Sequence, residues 1–313
     1  MRCSLCDEEA VIDQPYAGQH LCDRHFRRTI VERLRREMHR QLPRFPGGTV
    51  AVALSGGKDS AVALTLAHRY FARRPNVHLV ALTVDEGIEG YRLPTIERAA
   101  ELCKNLDVPH EILRARDEVG STTDEAALRM VGTAPCSFCG VWRRQLLNRA
   151  AVRAGADVLV LGFNLDDLAQ TILMNLARAD LDRIPRMAPH RSRQPGLVPR
   201  IAPLATIPER EVYLYARLEG LPFDHGECPH ARRAARNVFR EAVWNLEEAL
   251  PGTRHGLLKT QERLQALFET VKPSRAPSLC SECGEPSTGA VCRACEYRRA
   301  AREPLAGGEG ISP

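Results

Sequence analysis

The chain has 313 residues, of which 44% are hydrophobic and 27% are charged, and its formal net charge is +5. This composition is ordinary for a globular protein, and the length allows one sizeable α/β domain with small additions. No stretch approaches the ~18 successive apolar residues of a membrane span, and the start MRCSLCDEE lacks the layout of a signal peptide. We therefore expect a cytoplasmic protein whose cysteine clusters bind metal rather than form disulfides.

The basic residues are mostly arginines, because only four of the 44 are lysines. Arginine makes bidentate contacts with phosphate and stacks on bases, which favours an RNA partner. A genome rich in G and C would produce the same bias, so composition alone does not define an RNA-binding protein.

The two ends of the chain carry the clearest metal-binding patterns. Cys3 and Cys6 are followed by Cys22 and His25, and near the other end Cys280 and Cys283 are followed by Cys292 and Cys295. Four soft ligands in two tight turns surround one tetrahedral ion and leave no open position, so each set predicts a structural zinc site. Such short segments depend on the metal to fold. Iron in place of zinc, or disulfides in an oxidising compartment, are the alternatives.

Between these ends, apolar strands alternate with amphipathic helices. We predict strands at 49–54, 77–84, 109–115 and 156–163, and helices at 28–42, 59–71, 95–106, 141–155 and 209–221. This alternation is typical of an α/β fold with a parallel sheet covered on both faces. The predicted divisions are an N-terminal zinc finger (1–27), a linker helix (28–48), the α/β domain (49–225), a helical segment (226–275), a C-terminal zinc ribbon (276–300) and a disordered tail (301–313).

A glycine-rich loop follows the first strand of the α/β domain. It consists of Ser55, Gly56, Gly57, Lys58, Asp59 and Ser60. Its glycines allow backbone N–H groups to turn toward a ligand, and the helix N-terminus favours an anion. Lys58 supplies a charge for phosphate and Asp59 a ligand for Mg²⁺. The Walker spacing is absent. The loop thus predicts a site for the phosphates of a nucleotide. The simpler alternative is a glycine-rich turn with no ligand.

The pair Cys136 and Cys139 stands alone in mid-chain, without a second pair nearby. It is a redox dithiol, half of a metal site completed from far away, or an accident of sequence. Two cysteines remain as partners. Cys103 lies in an apolar helical pattern and is predicted to be a buried, inert thiol. Cys228 instead lies in the polar, turn-like segment DHGECPHA.

The loop SGGKDS resembles the PP-loop of N-type ATP pyrophosphatases, and LGFNLDDLAQT resembles a second signature of their tRNA-modifying branch. Phe163 stands where that signature usually has His, and Leu168 where it often has Glu. Together with VDEGIEGYR, CSFCGVWRRQ and the two zinc patterns, the chain resembles the tRNA 2-thiouridine synthetases of the TtuA and cytoplasmic tRNA 2-thiolation protein 1 type.

This resemblance implies a set of site residues. ATP would contact the loop and five further residues: Ala53, Leu54, Val84 (through its backbone), Arg143 and Gly162. Asp167 would be a second magnesium-binding or catalytic carboxylate. Cys136, Cys139 and Cys228 would hold a [4Fe-4S] cluster in which one iron has no protein ligand. The implied reaction adenylates O2 of a tRNA uridine and replaces it with sulfur, giving 2-thiouridine. The sequence favours the wobble position 34.

Several alternatives stay open. The cysteines could form a persulfide relay instead of a cluster. The reaction could act on T-loop uridine 54, produce 2-thiocytidine or attach lysine to cytidine. A non-catalytic zinc-ribbon RNA-binding protein is the alternative outside the enzymes. The resemblance further implies a sulfur donor (sulfide or a ubiquitin-like protein thiocarboxylate) and a homodimer. The candidates for tRNA binding are the two zinc patterns, the segment 226–275 and the arginines Arg183, Arg186, Arg191 and Arg193.

Overall fold

The computed structural model describes residues 1–187, 189, 194–270 and 278–302. Arg191, Arg193, residues 271–277 of the predicted helical segment and zinc ribbon, and residues 303–313 of the predicted tail lie outside that range. The first element is a small N-terminal module in which β1 (Ile12–Gln14) pairs with the antiparallel β2 (Gln19–Leu21). It continues directly into the helix α1 (Asp23–Gln41).

The centre of the molecule is a five-stranded parallel sheet. The alternating pattern predicted a parallel sheet and four of its strands. The fifth strand, Arg200–Ile201, was missed because two residues are too few to form an apolar run. In chain order the elements of this central region are β3 (Gly48–Ala53), α2 (Lys58–Phe71), β4 (Val77–Asp85), α3 (Arg92–Leu106), β5 (His110–Arg114), α4 (Ala115–Val119), α5 (Thr123–Arg129), α6 (Pro135–Arg153), β6 (Ala156–Val160), α7 (Leu165–Ala177), β7 (Arg200–Ile201) and α8 (Glu209–Leu218). The strand order is β5-β4-β3-β6-β7. All strands therefore end at the same edge, where ligands bind in open parallel sheets.

Both faces of the sheet are buried, because successive residues of a strand point to opposite sides. Val50 and Val52 of β3 join a core formed with α1, α2, α3 and α8. Ala51 joins a second core on the other face, formed mainly with α6 and α7. This covering explains why the strands are apolar throughout rather than alternating.

The remaining elements complete the second face and the C-terminal module. They are α9 (Arg236–Ala249), α10 (Thr253–Thr270), β8 (Ser278–Leu279), β9 (Pro286–Ser287) and α11 (Arg293–Ala300). Among the described residues, no helix combines the length and apolar character needed to cross a bilayer.

The prediction of α6 was wrong at its start. The helix begins at Pro135, whereas apolar periodicity predicted a start at residue 141. The φ of proline suits the first position of a helix, where a backbone N–H would have no partner within the helix. Because proline lacks that N–H, it is well suited to begin α6. Consequently Cys136 lies in the first turn of a helix and Cys139 at the start of its second turn.

Candidate active site

The glycine-rich loop connects β3 to α2 at the carboxyl edge of the sheet. Gly56 has φ +84°, and a Cβ there would collide with the carbonyl oxygen of Thr95, so glycine is required. Gly57 is the N-cap of α2, and a Cβ at this position would meet only Ser55 Oγ, at 3.6 Å. Ser60 Oγ accepts from the Ser55 amide (3.1 Å) and donates to the Gly57 carbonyl (2.9 Å). The two serines thus fix the loop, and its outer side and the N-terminus of α2 suit an anion.

Arg92 lies behind this loop and forms hydrogen bonds at the carboxyl ends of both β3 and β4. Its guanidinium donates to the carbonyl oxygens of Ser55 (3.0 Å) and Val84 (2.5 Å), and its Nε lies 2.7 Å from Glu86 Oε2. Both Arg92 and Glu86 are buried. Val84 is the residue whose backbone is predicted to contact adenine, and its carbonyl oxygen already accepts one hydrogen bond and keeps its second lone pair. Neither Glu86 nor Arg92 was among the predicted site residues.

Asp59 and Asp167 lie on the same side of the loop. Asn164 donates to Asp59 Oδ1 (2.9 Å), and it caps α7 by accepting from the Asp167 amide (3.0 Å). Burial raises the pKa of Asp59. Burial, together with the charge of Asp59, raises the pKa of Asp167 to about 7. Two carboxylates that disfavour each other's ionisation are suited to share a divalent cation, so this pair fits Mg²⁺.

Lys58 lies between carboxylates on the same edge. Its Nζ is 3.0 Å from Asp59 Oδ2 and 2.8 Å from Glu209 Oε1. These charges raise the pKa of Lys58, against the effect of burial, and keep it protonated. Glu209, the first residue of α8, was missed because a helix-starting glutamate has no distinctive pattern.

Gly162 and its neighbours follow β6. A Cβ on Gly162 would lie 3.0 Å from the backbone of Asp59 and Ser60, so this glycine lets the end of β6 approach the start of α2. The resemblance had assigned that space to the nucleotide. At the two positions that differ from the signature, Leu168 is buried in the second core and Phe163 is 42% exposed.

The three mid-chain cysteines converge beside the loop. Cys228 begins a 3₁₀ turn (Pro229–Arg233), and Cys136 Sγ lies 3.8 Å from the carbonyl oxygen of His230 in that turn. Burial raises the pKa of the Cys228 thiol, and the nearby Cys136 adds to the effect. Burial also raises the pKa of Cys139. Cys103 is buried in the core on the other face of the sheet, as predicted, and does not take part.

The spacing of these thiols differs from that of the terminal sites. In the part of the chain that the structure describes, the two terminal sets are the groups of three or more His, Cys, Asp or Glu residues whose donor atoms all lie within 4.8 Å of one another. Thiolates on one ion must be that close, whereas the thiolates of a cubane each bind a different iron and lie farther apart. The three thiols are therefore not gathered as the ligands of a single ion are, and their donor type is that of iron–sulfur cluster ligands.

Two connections join the thiols to the nucleotide loop. The amide of Asp224 donates to the Gly56 carbonyl (2.9 Å), which holds the segment leading to Cys228 over the loop. Arg143, one turn after Cys139, lies 3.4 Å from Glu86 Oε1, and Glu86 in turn holds Arg92. The loop and the thiols therefore form one site.

Both terminal sets have the geometry of tetrahedral metal sites. In the first, Cys6 Sγ lies 3.7 Å from Cys22 Sγ and 3.5 Å from His25 Nδ1. In the second, the Cys283 and Cys292 sulfurs are 3.6 Å apart. These separations are much longer than the ~2.05 Å of a disulfide and suit four ligands around one ion.

Comparison with known proteins shows the family to which the chain belongs. The model of the PP-loop domain family matches residues 30–247, and that of the N-terminal LIM domain of 2-thiouridine synthetase TtuA matches residues 2–27. The tRNA 2-thiolation protein NcsA of Haloferax volcanii is 40% identical over 94% of this chain and 97% of its own. The chain belongs to the PP-loop family of tRNA 2-thiolation proteins. The resemblance inferred from the sequence is thereby confirmed.

Two further members of the family are named for the tRNA position at which they act. The structure described as U34-tRNA thiolase NcsA from Methanococcus maripaludis with its [4Fe-4S] cluster superposes with a TM-score of 0.83, at 33% identity and with 96% of both chains covered. The tRNA-5-methyluridine(54) 2-sulfurtransferase of Pyrococcus horikoshii is 31% identical over 95% of this chain and 93% of its own. The family therefore includes proteins named for two different tRNA positions.

Proposed function

We propose that this protein is an ATP-dependent tRNA 2-thiolation enzyme that converts a uridine, at wobble position 34, to 2-thiouridine. The proposal rests on one observation. The hydrogen bond from Asp224 to Gly56 holds the segment leading to Cys228 against the PP-loop, so the loop and the three cysteines lie at one edge of the sheet. Activation by ATP and delivery of sulfur must happen at the same base, and this arrangement places both sets of groups beside each other.

The loop side of the site would carry out the activation. Lys58 neutralises phosphate charge, while Asp59 and Asp167 hold Mg²⁺. The O2 atom of the uridine attacks the α-phosphorus of ATP, and pyrophosphate leaves toward the amides at the N-terminus of α2. Sulfur then adds at C2, and AMP departs with the former O2. Ala53, Leu54, Val84 and Arg143 would be the remaining nucleotide contacts, while Gly162 would contribute by letting the end of β6 approach the start of α2.

The thiol side of the site would deliver the sulfur. Cys136, Cys139 and Cys228 would hold the [4Fe-4S] cluster, and Arg143 next to them carries positive charge toward the nucleotide side. With only three protein ligands, such a cluster would supply an iron site for sulfide. Cys136 is the exposed member of the three, so the site is accessible to a sulfur donor, either sulfide or a ubiquitin-like protein thiocarboxylate.

The target base must enter a pocket, so it would be extruded from its loop. The zinc-binding ends, the segment 226–275 and the arginines around Arg183 would bind tRNA phosphates. Arg183 is exposed and pairs with Asp180 at 2.6 Å. We place the enzyme in the cytoplasm, as a homodimer with two structural zinc ions per chain.

The tRNA position is proposed from two similarities. The relative with 40% identity is named for tRNA 2-thiolation, and the superposed structure is named for U34. The 31% identical relative named for position 54 makes T-loop thiolation the second candidate.

The decisive experiment uses oxygen-free protein. Iron content, pyrophosphate release and tRNA nucleosides are measured for wild type, Cys228→Ala and the matched control Cys103→Ala. We expect iron and 2-thiouridine in wild type and in Cys103→Ala, and the loss of both in Cys228→Ala. Iron-free protein that thiolates at full rate would establish a persulfide relay instead. Binding of tRNA without pyrophosphate release would establish a non-catalytic protein, and sequencing of the thiolated tRNA distinguishes position 34 from position 54.

A further inference from the structure

We propose that the C-terminal metal module positions α6, with Gln145 as the contact between them, so that loading of this module controls how firmly Cys136 and Cys139 are held. The inference deepens the proposed function and rests on it, because the importance of the cysteine pair comes from there. The module is the sequence 278–302, with β8, β9 and α11.

Three residues on one face of α6 hold the module. Trp142 Nε1 donates to the Ala294 carbonyl (3.2 Å), Gln145 Nε2 donates to Cys283 Sγ (3.6 Å), and Arg149 forms an ion pair with Glu285. Residues three, four and seven positions apart lie on the same side of a helix, so these contacts form one continuous seat.

Gln145 is the member of this seat that contacts the metal site itself. Its side chain is buried, and its amide lies within hydrogen-bonding distance of Cys283 Sγ and, at 4.0 Å, of Cys292 Sγ. In the loaded site these sulfurs are thiolates, which accept stronger hydrogen bonds than neutral groups do. A donor outside the ligand set commonly orients the ligands and stabilises the metal.

The same module reaches Phe138, one of the two residues between the cysteines. Phe138 is fully buried, and its ring centroid lies 5.2 Å from that of Trp142 and 6.1 Å from that of Tyr297 in α11. Phe138 shares the first turns of α6 with Cys136 and Cys139. Gln145 follows Cys139 by six residues, which is roughly 9 Å along a helix. A rigid helix transmits a displacement over this distance, so the seat of the module sets the position of the pair.

The module cannot form this seat without its metal. Its two strands have two residues each and its helix has eight, which leaves too little apolar surface to fold unaided. Loss of the ion would therefore release Phe138 and Trp142 from one side. The N-terminal module offers a matched comparison, because it adjoins α1 and the core on the opposite face of the sheet.

The test compares loss of metal at the two ends in the full chain, prepared without oxygen. Cys283→Ser and Cys22→Ser are each assayed for zinc, for iron and for amide hydrogen exchange of residues 135–142. We expect each variant to lose one zinc ion. Only Cys283→Ser should lose iron, to roughly a third of wild type or less, and show at least tenfold faster exchange in residues 135–142. Loss of one zinc ion in Cys283→Ser with iron and exchange unchanged would overturn the proposal.

A second variant covers the case in which Cys283→Ser does not fold. Gln145→Leu keeps the side-chain size and removes only the donor to sulfur, so all four zinc ligands remain. We expect faster exchange in residues 135–142 and faster release of zinc to a chelator than in wild type, and wild-type behaviour in both measurements would overturn the proposal. Because exchange is measured independently of iron, a wild-type protein without iron would refute the cluster in the proposed function while the exchange result still decides this inference.

Discussion

The backbone amide of Asp224 donates to the carbonyl oxygen of Gly56 across 2.9 Å, which fastens the segment before Cys228 to the nucleotide loop. The side chain of Asp224 serves a separate purpose, because its Oδ1 accepts from the Gly226 amide (2.7 Å). Backbone and side-chain roles at this position can therefore be tested separately.

Replacing Asp224 by proline removes the amide donor, whereas alanine keeps it and removes only the carboxylate. A lost hydrogen bond of this kind costs about 1–2 kcal/mol, so we expect Asp224→Pro to weaken ATP binding about tenfold and to reduce iron content. Asp224→Ala should stay within about threefold of wild type in both. Equal ATP affinities for the two variants, measured by titration with ATP and Mg²⁺, would contradict the role of this bond.

Asp167 and its neighbour Asp166 should behave differently when changed to asparagine. Asp167 faces Asp59, so Asp167→Asn should reduce pyrophosphate release about a hundredfold or more through loss of metal binding. Asp166 instead accepts from the Glu209 amide (2.7 Å) and pairs with Arg254. Asp166→Asn should lower the free energy of unfolding while the active fraction keeps most of its pyrophosphate release. The reverse pattern would show that the two carboxylates were assigned wrongly.

The raised pKa of Asp167 has a consequence for stability. Its folded value of about 7 exceeds its ordinary value of 3.8, so the ionised carboxylate disfavours the nucleotide-free fold. Asp167→Asn should therefore increase the free energy of unfolding, by about 2 kcal/mol above pH 7. The increase should shrink as the pH falls from about 7 toward 4, where folded wild type is already protonated. Urea unfolding at pH 8, 6 and 5 checks this, and an increase that does not depend on pH would rule out the titration as its cause.

Glu86 holds two arginines, one behind the nucleotide loop and one beside the cysteines. Glu86→Gln removes the charge that pairs with the buried Arg92, so we expect the free energy of unfolding to fall by about 3 kcal/mol. Glu89→Gln, on an exposed side chain three residues away, should change it by less than about 0.5 kcal/mol. Denaturant unfolding of both variants provides the measurement. A loss below about 1 kcal/mol for Glu86→Gln would show that Arg92 is held by its uncharged partners, the carbonyls of Ser55 and Val84 and the hydroxyl of Thr95.

Local patterns were enough to predict four of the five strands of the sheet, the loop and the metal-binding ends. Apolar runs determine buried parallel strands, and the loop Ser55–Ser60 contains its own turn-forming glycines and helix start. Cysteine pairs at short spacing form their sites almost without help from the rest of the chain. Within each strand, in the loop and at the two ends, sequence neighbours are also neighbours in space.

The parts that could not be predicted depend on contacts between distant segments. Glu86 and Arg92 are ordinary surface residue types until the fold buries them together, and Glu209 reaches Lys58 only because α8 returns to the same edge. The start of α6 was missed because Cys136 and Cys139 interrupt the apolar periodicity that marks the rest of the helix. Similarly, nothing local to Gln145 indicates that it meets sulfur atoms about 140 residues away.

The helix α1 runs through the boundary predicted between residues 27 and 28, with Phe26 on one side and Ile30 on the other in the same buried core. A recombinant fragment starting at residue 28 would cut this helix in its second turn and leave the remaining apolar face uncovered, so it would be prone to aggregate. The N-terminal module (residues 1–27) and the α/β domain should therefore be expressed and crystallised as one polypeptide. Limited proteolysis should not cleave the chain between residues 27 and 28.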